Sequence, residues 1–254
     1  MIIKRDCDYT VKHVNRRLHI YLPDDYWESN ERYPVMYFFD GHNLFYDEDA
    51  TYGKSWGLKD FMDQWSKKMI IVGMECGHEG KERLNEYCPY TMNTYFAGKI
   101  EGIGDETFQW IINEVKPMID REYRTYSHRE ATGIAGSSMG GLMSVYGVTV
   151  YNDIFSKGAC LSSAVTPCIA LIERDLKKNR ISPDTRVYFS WGTNEVKQAK
   201  DPMKTSMGRA HKRIINTLES QGAACLLYIQ PDGRHCEADW EKQIPLFMDH
   251  LWMR

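Results

Sequence analysis

The chain lacks most of the features that mark specialised protein classes. Its 254 residues contain no stretch approaching 18 consecutive apolar residues, so no transmembrane helix is expected. The N-terminus, Met1-Ile2-Ile3-Lys4-Arg5-Asp6, has no long apolar segment of the secretory-signal kind. Neither charge sign dominates: 32 Lys and Arg stand against 35 Asp and Glu, interspersed, for a formal net charge of −3. That balance argues against a nucleic-acid partner or a membrane surface. There is no internal repeat, low-complexity tract or Pro/Gly/Ser-rich linker, so a single domain over 1–254 is the simplest organisation. Seven cysteines, an odd number with no C-x-x-C pair, argue against a disulfide framework. Reduced thiols and a cytoplasmic location are the expectation. His and Cys are scattered without ligand spacing, so no metal site is implied. Gly102-x-Gly104 is too short for a phosphate loop and precedes a helix with no strand expected before it. The chemistry must then rest on side chains and backbone alone, with no cofactor.

What is present is a core and a strand–helix alternation. Hydrophobic residues make up 43% of the chain and charged residues 26%, a composition that supports a sizeable folded interior. Leu18–Leu22 alternates and ends at Pro23, which reads as an early antiparallel strand. Val35–Phe39 and Met69–Met74 are continuous apolar runs, the pattern of strands buried on both faces. Phe108, Ile111, Ile112, Val115 and Ile119 recur at helical spacing across Asp105–Arg121, with Pro117 as a kink or boundary. Ala131–Ala135 and Gly158–Leu161 read as strands, with a helix over Leu142–Val150 between them. Strands are further expected at Arg186–Trp191 and Ala224–Ile229, and helices at Met203–Glu219 and Trp240–Trp252. The fold class is therefore α/β, with a mostly parallel central sheet and helices on both faces. Ligands in such sheets bind at the carboxyl ends of the strands.

The most informative stretch is Gly136-Ser137-Ser138-Met139-Gly140-Gly141. It contains Gly136-x-Ser138-x-Gly140 between a strand and a helix, the context of a nucleophile elbow. Ser138 is the candidate nucleophile. A serine hydroxyl needs a base, usually a histidine oriented by a carboxylate, in the chain order Ser, Asp/Glu, His. Three histidines follow Ser138. His211 lies in a helical pattern and His250 near the last helix end; both read as surface or core-edge residues. His235 stands in the loop directly after the last strand, where a base can reach the strand ends. The acid is read as Glu195, in the loop after Arg186–Trp191, with Asp201 as runner-up. The tetrahedral intermediate of acyl transfer carries an oxyanion that needs donors. The N–H of Met139, at the helix start, is one; the N–H of His42, in Asp40-Gly41-His42-Asn43, is the other. Asp40, Tyr87 and Trp240 are candidate substrate contacts. Trp56, Trp65 and Tyr95 are further candidates for an acyl or sugar pocket, and Asp47–Gly57 for a flexible lip.

These residues resemble the putative-esterase family of α/β-hydrolases. The resemblance is carried by Tyr33–Phe45, Ile71–Glu75, Arg83–Tyr87, Lys116–Arg124, Gly136–Leu142, Asp153–Phe155 and Leu161–Ser163, and spans most of 15–252. That family includes esterase D (S-formylglutathione hydrolase), feruloyl and acetyl-xylan esterases, enterochelin esterases and mycolyltransferases. The resemblance implies an α/β-hydrolase fold and a Ser138–His235–Glu195 triad working through an acyl-enzyme. The acid is often aspartate in such enzymes, and many have His-Gly where this chain has Asp40-Gly41. The implied function is hydrolysis of a small acyl ester, acetyl or feruloyl-type, of a carbohydrate or related alcohol. Alternatives are acyl transfer by the same triad and siderophore or thioester hydrolysis; a non-catalytic binding protein is least expected. The implied partner is a small-molecule or saccharide ester, with the oligomeric state left open.

Overall fold

Continuous apolar runs fold as fully covered strands, and alternating ones as half-wet strands. A computed structural model describes residues 1–94 and 97–253. The chain divides into two units, Met1–Gly133 and Ile134–Arg254. In the first, β1 (Ile2–Tyr9) pairs antiparallel with β2 (Val14–Tyr21). β1 alternates in exposure, with Lys4, Asp6 and Asp8 on the exposed side and Ile3, Arg5, Cys7 and Tyr9 on the other. That polarity kept it from being read as a strand. β3 (Val35–Phe39) and, after helix α1 (Leu58–Gln64), β4 (Ile70–Met74) are buried along their whole length and pair in parallel. β2 pairs antiparallel with β4, as expected for the early strand.

The remainder of this unit is α2 (Glu82–Glu86), a hairpin of β5 (Met92–Thr94) and β6 (Gly98–Ile100), α3 (Gly104–Trp110) and α4 (Lys116–Glu122). β6 thus precedes Gly102-x-Gly104, contrary to expectation, but it belongs to a two-stranded hairpin. The helix expected over Asp105–Arg121 is α3 and α4 joined by a π turn at Ile111–Val115. The junction stays helical, with Val115 at φ −65° and ψ −55°. Pro117 has no N–H to give to a carbonyl one turn back, and the widened turn absorbs that missing bond.

The second unit begins within β7 (Thr132–Ser137) and continues through α5 (Met139–Val150), β8 (Lys157–Leu161), α6 (Ile169–Lys178), β9 (Arg186–Gly192), α7 (Ser206–Ser220), β10 (Ala224–Gln230), α8 (Glu237–Glu241) and α9 (Ile244–Trp252). Strand order is β7-β8-β9-β10, and β8, β9 and β10 run parallel. The protein has an α/β fold with a large, mostly parallel sheet and helices. α5 is buried from Met139 through Thr149, on every side, as its unbroken apolar and small-residue sequence allows. α7 instead buries one stripe, His211, Ile214, Ile215 and Leu218. Each buried aliphatic side chain there contributes about 1.5–3 kcal/mol. α7 starts three residues later than expected: Pro202–Lys204 is a separate turn, and the Thr205 hydroxyl caps the helix by accepting from Gly208 N–H at 3.0 Å. The last expected helix is two, broken before Pro245, which takes a first-turn place in α9.

Parallel register gathers the loops that matter. Leu161 pairs with Ser190 across β8 and β9, and Gly192 with Gln230 across β9 and β10. Ser162, the segment Thr193–Val196 and the segment Pro231–His235 therefore leave the same carboxyl edge.

Candidate active site

Ser138 follows β7 directly and stands at the start of α5 with φ 58° and ψ −118°, a conformation forced on a non-glycine residue. Such a turn works only if the chain can double back closely. A Cβ on Gly136 would lie 2.7 Å from the carbonyl carbon of Gly140, so glycine is required there. The turn is pinned by backbone bonds. Ser138 N–H donates to Leu161 O at 3.0 Å, and Ser138 O accepts from Ala164 N–H at 2.9 Å. The Ser138 side chain makes no capping bond, so its hydroxyl is not committed to holding the helix. The N–H of Met139 belongs to the first turn of α5, where the helix dipole favours negative charge.

Two loops at the same sheet edge bring together the expected base and acid. His235 Nδ1 lies 2.7 Å from Glu195 Oε2. A carboxylate only accepts, so Nδ1 carries the proton and a neutral ring keeps Nε2 free as a base. The imidazole is 46% exposed while the Glu195 side chain is 5% exposed. Burial alone would push the Glu195 carboxyl up. The bonds from His235, the Gly192 N–H (2.8 Å) and the Ser162 hydroxyl (2.7 Å) outweigh it and hold the group below the usual carboxylate range. Glu195 stays ionised and can stabilise an imidazolium.

The loops are stitched to each other. Asn194 N–H donates to Gly233 O (3.0 Å), Asn194 Nδ2 to Asp232 O (2.9 Å), and Asp232 N–H to the Thr193 hydroxyl (2.9 Å). This approach needs glycine at 192, where a Cβ would sit 2.0 Å from Gly233 O. On the other side of the base, Asp239 Oδ2 accepts from Arg234 N–H at 2.9 Å and lies 3.5 Å from Cys236 Sγ, so one carboxylate holds both neighbours of His235. Among the described residues no hydrogen bond joins Ser138 Oγ to His235; such bonds are often long without substrate and tighten in the complex. The serine is tied instead through backbone to Leu161 and Ala164, which flank Ser162.

The other expected residues fall as follows. Asp201 caps its own turn by accepting from Met203 N–H at 3.1 Å. His211 is fully buried, not at the surface. It lies 4.7 Å from the Trp191 ring, and burial depresses its pKa to about 4. His250, also buried, places Nε2 3.3 Å from Ala224 O. Trp240 is 4% exposed. Its ring meets His235 edge-to-face at 5.1 Å, and its indole N–H donates to the Ser162 hydroxyl at 2.9 Å. In the first unit, Asp40 adopts φ 58° after β3, and its carboxylate receives Arg83 through two bonds of 2.6 and 2.7 Å. Asp40 N–H donates to the Tyr87 hydroxyl at 3.1 Å. His42 is the middle residue of the turn Gly41–Asn43, with Nε2 2.9 Å from the Thr51 hydroxyl and its ring 4.7 Å from His78. Burial lowers its pKa. Trp56 packs edge-on against Phe38, and Trp65 lies against Phe61. The Asp47–Gly57 segment is tied by the Asp47 carboxylate, which accepts from Ser55 N–H at 2.7 Å. Tyr95 lies outside the described residues.

Sequence reasoning missed the part Ser162 plays. A lone serine after a short strand has no signature, and its neighbours Glu195 and Trp240 come 33 and 78 positions later. All seven cysteines are free thiols. Among the described residues no group of three or more His, Cys, Asp or Glu is placed to hold a metal, and no helix is long and apolar enough to cross a membrane.

The family model described as "Putative esterase" matches residues 12–251. The uncharacterized protein YbbA of Bacillus subtilis (strain 168) is 25% identical over 212 residues, 82% of this chain and 80% of that protein. Esterase Rv1288 of Mycobacterium tuberculosis (strain H37Rv) is 30% identical over 131 residues, 50% of this chain but 24% of that protein. Among solved structures, an IroE-like serine hydrolase from Shewanella oneidensis superposes with a TM-score of 0.76 at 18% identity, covering 100% of this chain and 80% of that one. The enterobactin esterase FES of Shigella flexneri does so at 0.72 and 17%, covering 100% and 59%. At these identities the structural likenesses speak for the fold.

Proposed function

The chain belongs to the Putative esterase family and is an esterase, and from that premise we propose that it cleaves its ester through Ser138, His235 and Glu195. His235 Nε2 takes the Ser138 proton as Oγ attacks the acyl carbonyl. The imidazolium then gives that proton to the leaving alcohol, and an acyl-serine remains. Water, deprotonated by the same nitrogen, attacks the acyl carbon; Ser138 leaves with the proton, and the acid is released. Glu195 stabilises the imidazolium throughout. The N–H of Met139 donates to the oxyanion, and the N–H of His42 is the second donor. The substrate class is a small acyl ester, acetyl or feruloyl-type, of a carbohydrate or related alcohol. The single observation carrying this reading is the 2.7 Å bond from a half-exposed imidazole to a carboxylate already held by two other donors.

The test is hydrolysis of p-nitrophenyl acetate by the wild type and by Ser138→Ala, side by side. The expected loss in kcat is on the order of 10⁴- to 10⁶-fold. Full activity in the variant would sink the assignment. Acetylated and feruloylated sugars then test the substrate class, with release of free acid as the readout.

A further inference from the structure

Ser162 and Trp240 have no part in that scheme, yet both are built into the base and acid. Ser162 is 1% exposed and sits at φ 46°, a strained position for a non-glycine residue. Its N–H donates to Ser190 O at 2.7 Å, which fixes where its side chain starts. The direction of its hydroxyl bonds is also fixed. An indole N–H can only donate, so Ser162 Oγ accepts from Trp240, and its one proton goes to the carboxylate, which can only accept. Trp240 touches the pair twice: its N–H reaches Glu195 through Ser162, and its ring bounds the His235 imidazole at 5.1 Å and 80°. The imidazole is half-exposed, with the carboxylate at Nδ1 and the indole ring packed nearly perpendicular to it.

We propose that Ser162 and Trp240 form a positioning pair that sets the carboxylate of Glu195 and the ring of His235 in one relative orientation. Both are buried and act through the acid and base they touch. The pair rests on the reading of Glu195 and His235 as acid and base, and deepens it. If the orientation loosens, Nε2 wanders from the line of proton transfer; misplacement of about 1 Å costs on the order of 100-fold in rate.

The experiment uses the full chain with Ser162→Ala, Ser162→Gly, Trp240→Phe and Trp240→Leu. Three readouts are taken: kcat and KM on p-nitrophenyl acetate, the thermal midpoint, and the downfield proton resonance of the His235 Nδ1–H bonded to Glu195. Both Ser162 variants should lose on the order of 10- to 100-fold in kcat with KM nearly unchanged, and the downfield resonance should vanish or broaden. Ser162→Gly discriminates. It relieves the strained backbone, so a purely structural serine would give wild-type turnover there, whereas a positioning serine fails in both variants. Trp240→Phe keeps the ring and loses the N–H, and should fall less than Trp240→Leu, which loses both. Wild-type kcat and an intact resonance in Ser162→Gly and Trp240→Phe overturn the pair. If Ser162→Gly does not fold, Trp240→Phe decides by the same two readouts. Wild-type turnover in Ser138→Ala would instead overturn the triad itself, so the two failures are told apart; the resonance reads the pair even where the ester is not turned over.

Discussion

Two buried carboxylates, Asp40 in the first unit and Glu195 in the second, are held ionised by opposite means. For Asp40, burial would raise the pKa, and the Arg83 guanidinium overcomes it through charge and two direct bonds. For Glu195 the opposition to burial comes from a histidine and two neutral donors. The difference lies in the partner. Arg83 is permanently protonated and never gives up its proton, so its pair is a lock. His235 carries an imidazole, which can both accept and donate a proton, so its pair can take part in proton transfer. Burial and a depressed carboxylate are common to both pairs; what sets Glu195 apart is a partner whose ring can exchange a proton.

The comparison breaks most visibly at Glu195. Glu195→Gln keeps the shape but removes the charge and lets the amide impose the wrong tautomer on His235. The expected loss is about 10⁴-fold in kcat on p-nitrophenyl acetate, with the folded state preserved; a loss under tenfold would place Glu195 outside the chemistry. Arg83→Met should do the reverse. It strands the Asp40 carboxylate, for an expected destabilisation of about 3 kcal/mol in urea unfolding. Adding Asp40→Asn should restore part of that, and no restoration would mean the two do not act as a pair.

Histidines sharpen the contrast. His211 bonds a backbone carbonyl, Met207 O at 2.9 Å, and burial holds its pKa at about 4 against the smaller raising effects of that bond and of the Glu195 charge. The unfolded chain takes up a proton below about 6.5 while the folded one does not. Stability at this group is therefore full above about pH 6.5 and falls as the pH drops towards 4, by about 2 kcal/mol between pH 7.5 and 5. His211→Phe, which suits the aromatic surroundings of Trp191 and Phe189, should flatten that slope; an unchanged slope assigns the acid sensitivity elsewhere. The smallest effect is expected at Asp239. Its pKa is lowered to about 2: burial acts to raise it, and bonds from Lys242 and Arg234 prevail. A depressed carboxyl contributes above its unfolded value of about 3.9 and loses that contribution as pH falls towards 2. Asp239→Asn should cost about 1–2 kcal/mol at pH 7, with the two stability curves converging near pH 2; a constant gap would show that the charge is irrelevant.

Much of the scaffold was legible because its signals are local. Val35–Phe39 and Ile70–Met74 are apolar without a break, and burial on both faces follows from that alone. The elbow was legible because its strained serine needs small neighbours that appear within five consecutive positions, Gly136 to Gly140. Glu195 and His235 were readable only through chain order after strands. Helix ends were less legible: Thr205 and Pro245 moved them, since a cap or a missing N–H acts on single bonds that hydrophobic periodicity does not carry.

By itself the sequence determined the alternation of strands and helices, the position of the strained Ser138 turn and the short set of candidate acids and bases. These depend on periodicity, on glycine at fixed offsets and on residue type. Only the tertiary structure decided which histidine is core and which meets a carboxylate. His211 and His235 are the same residue type, and they differ only in what packs around them. It also decided that Ser162 and Trp240 support Glu195. Those contacts join segments 30 to 80 positions apart, and parallel register, which brings strand ends to one edge, is a property of the folded sheet.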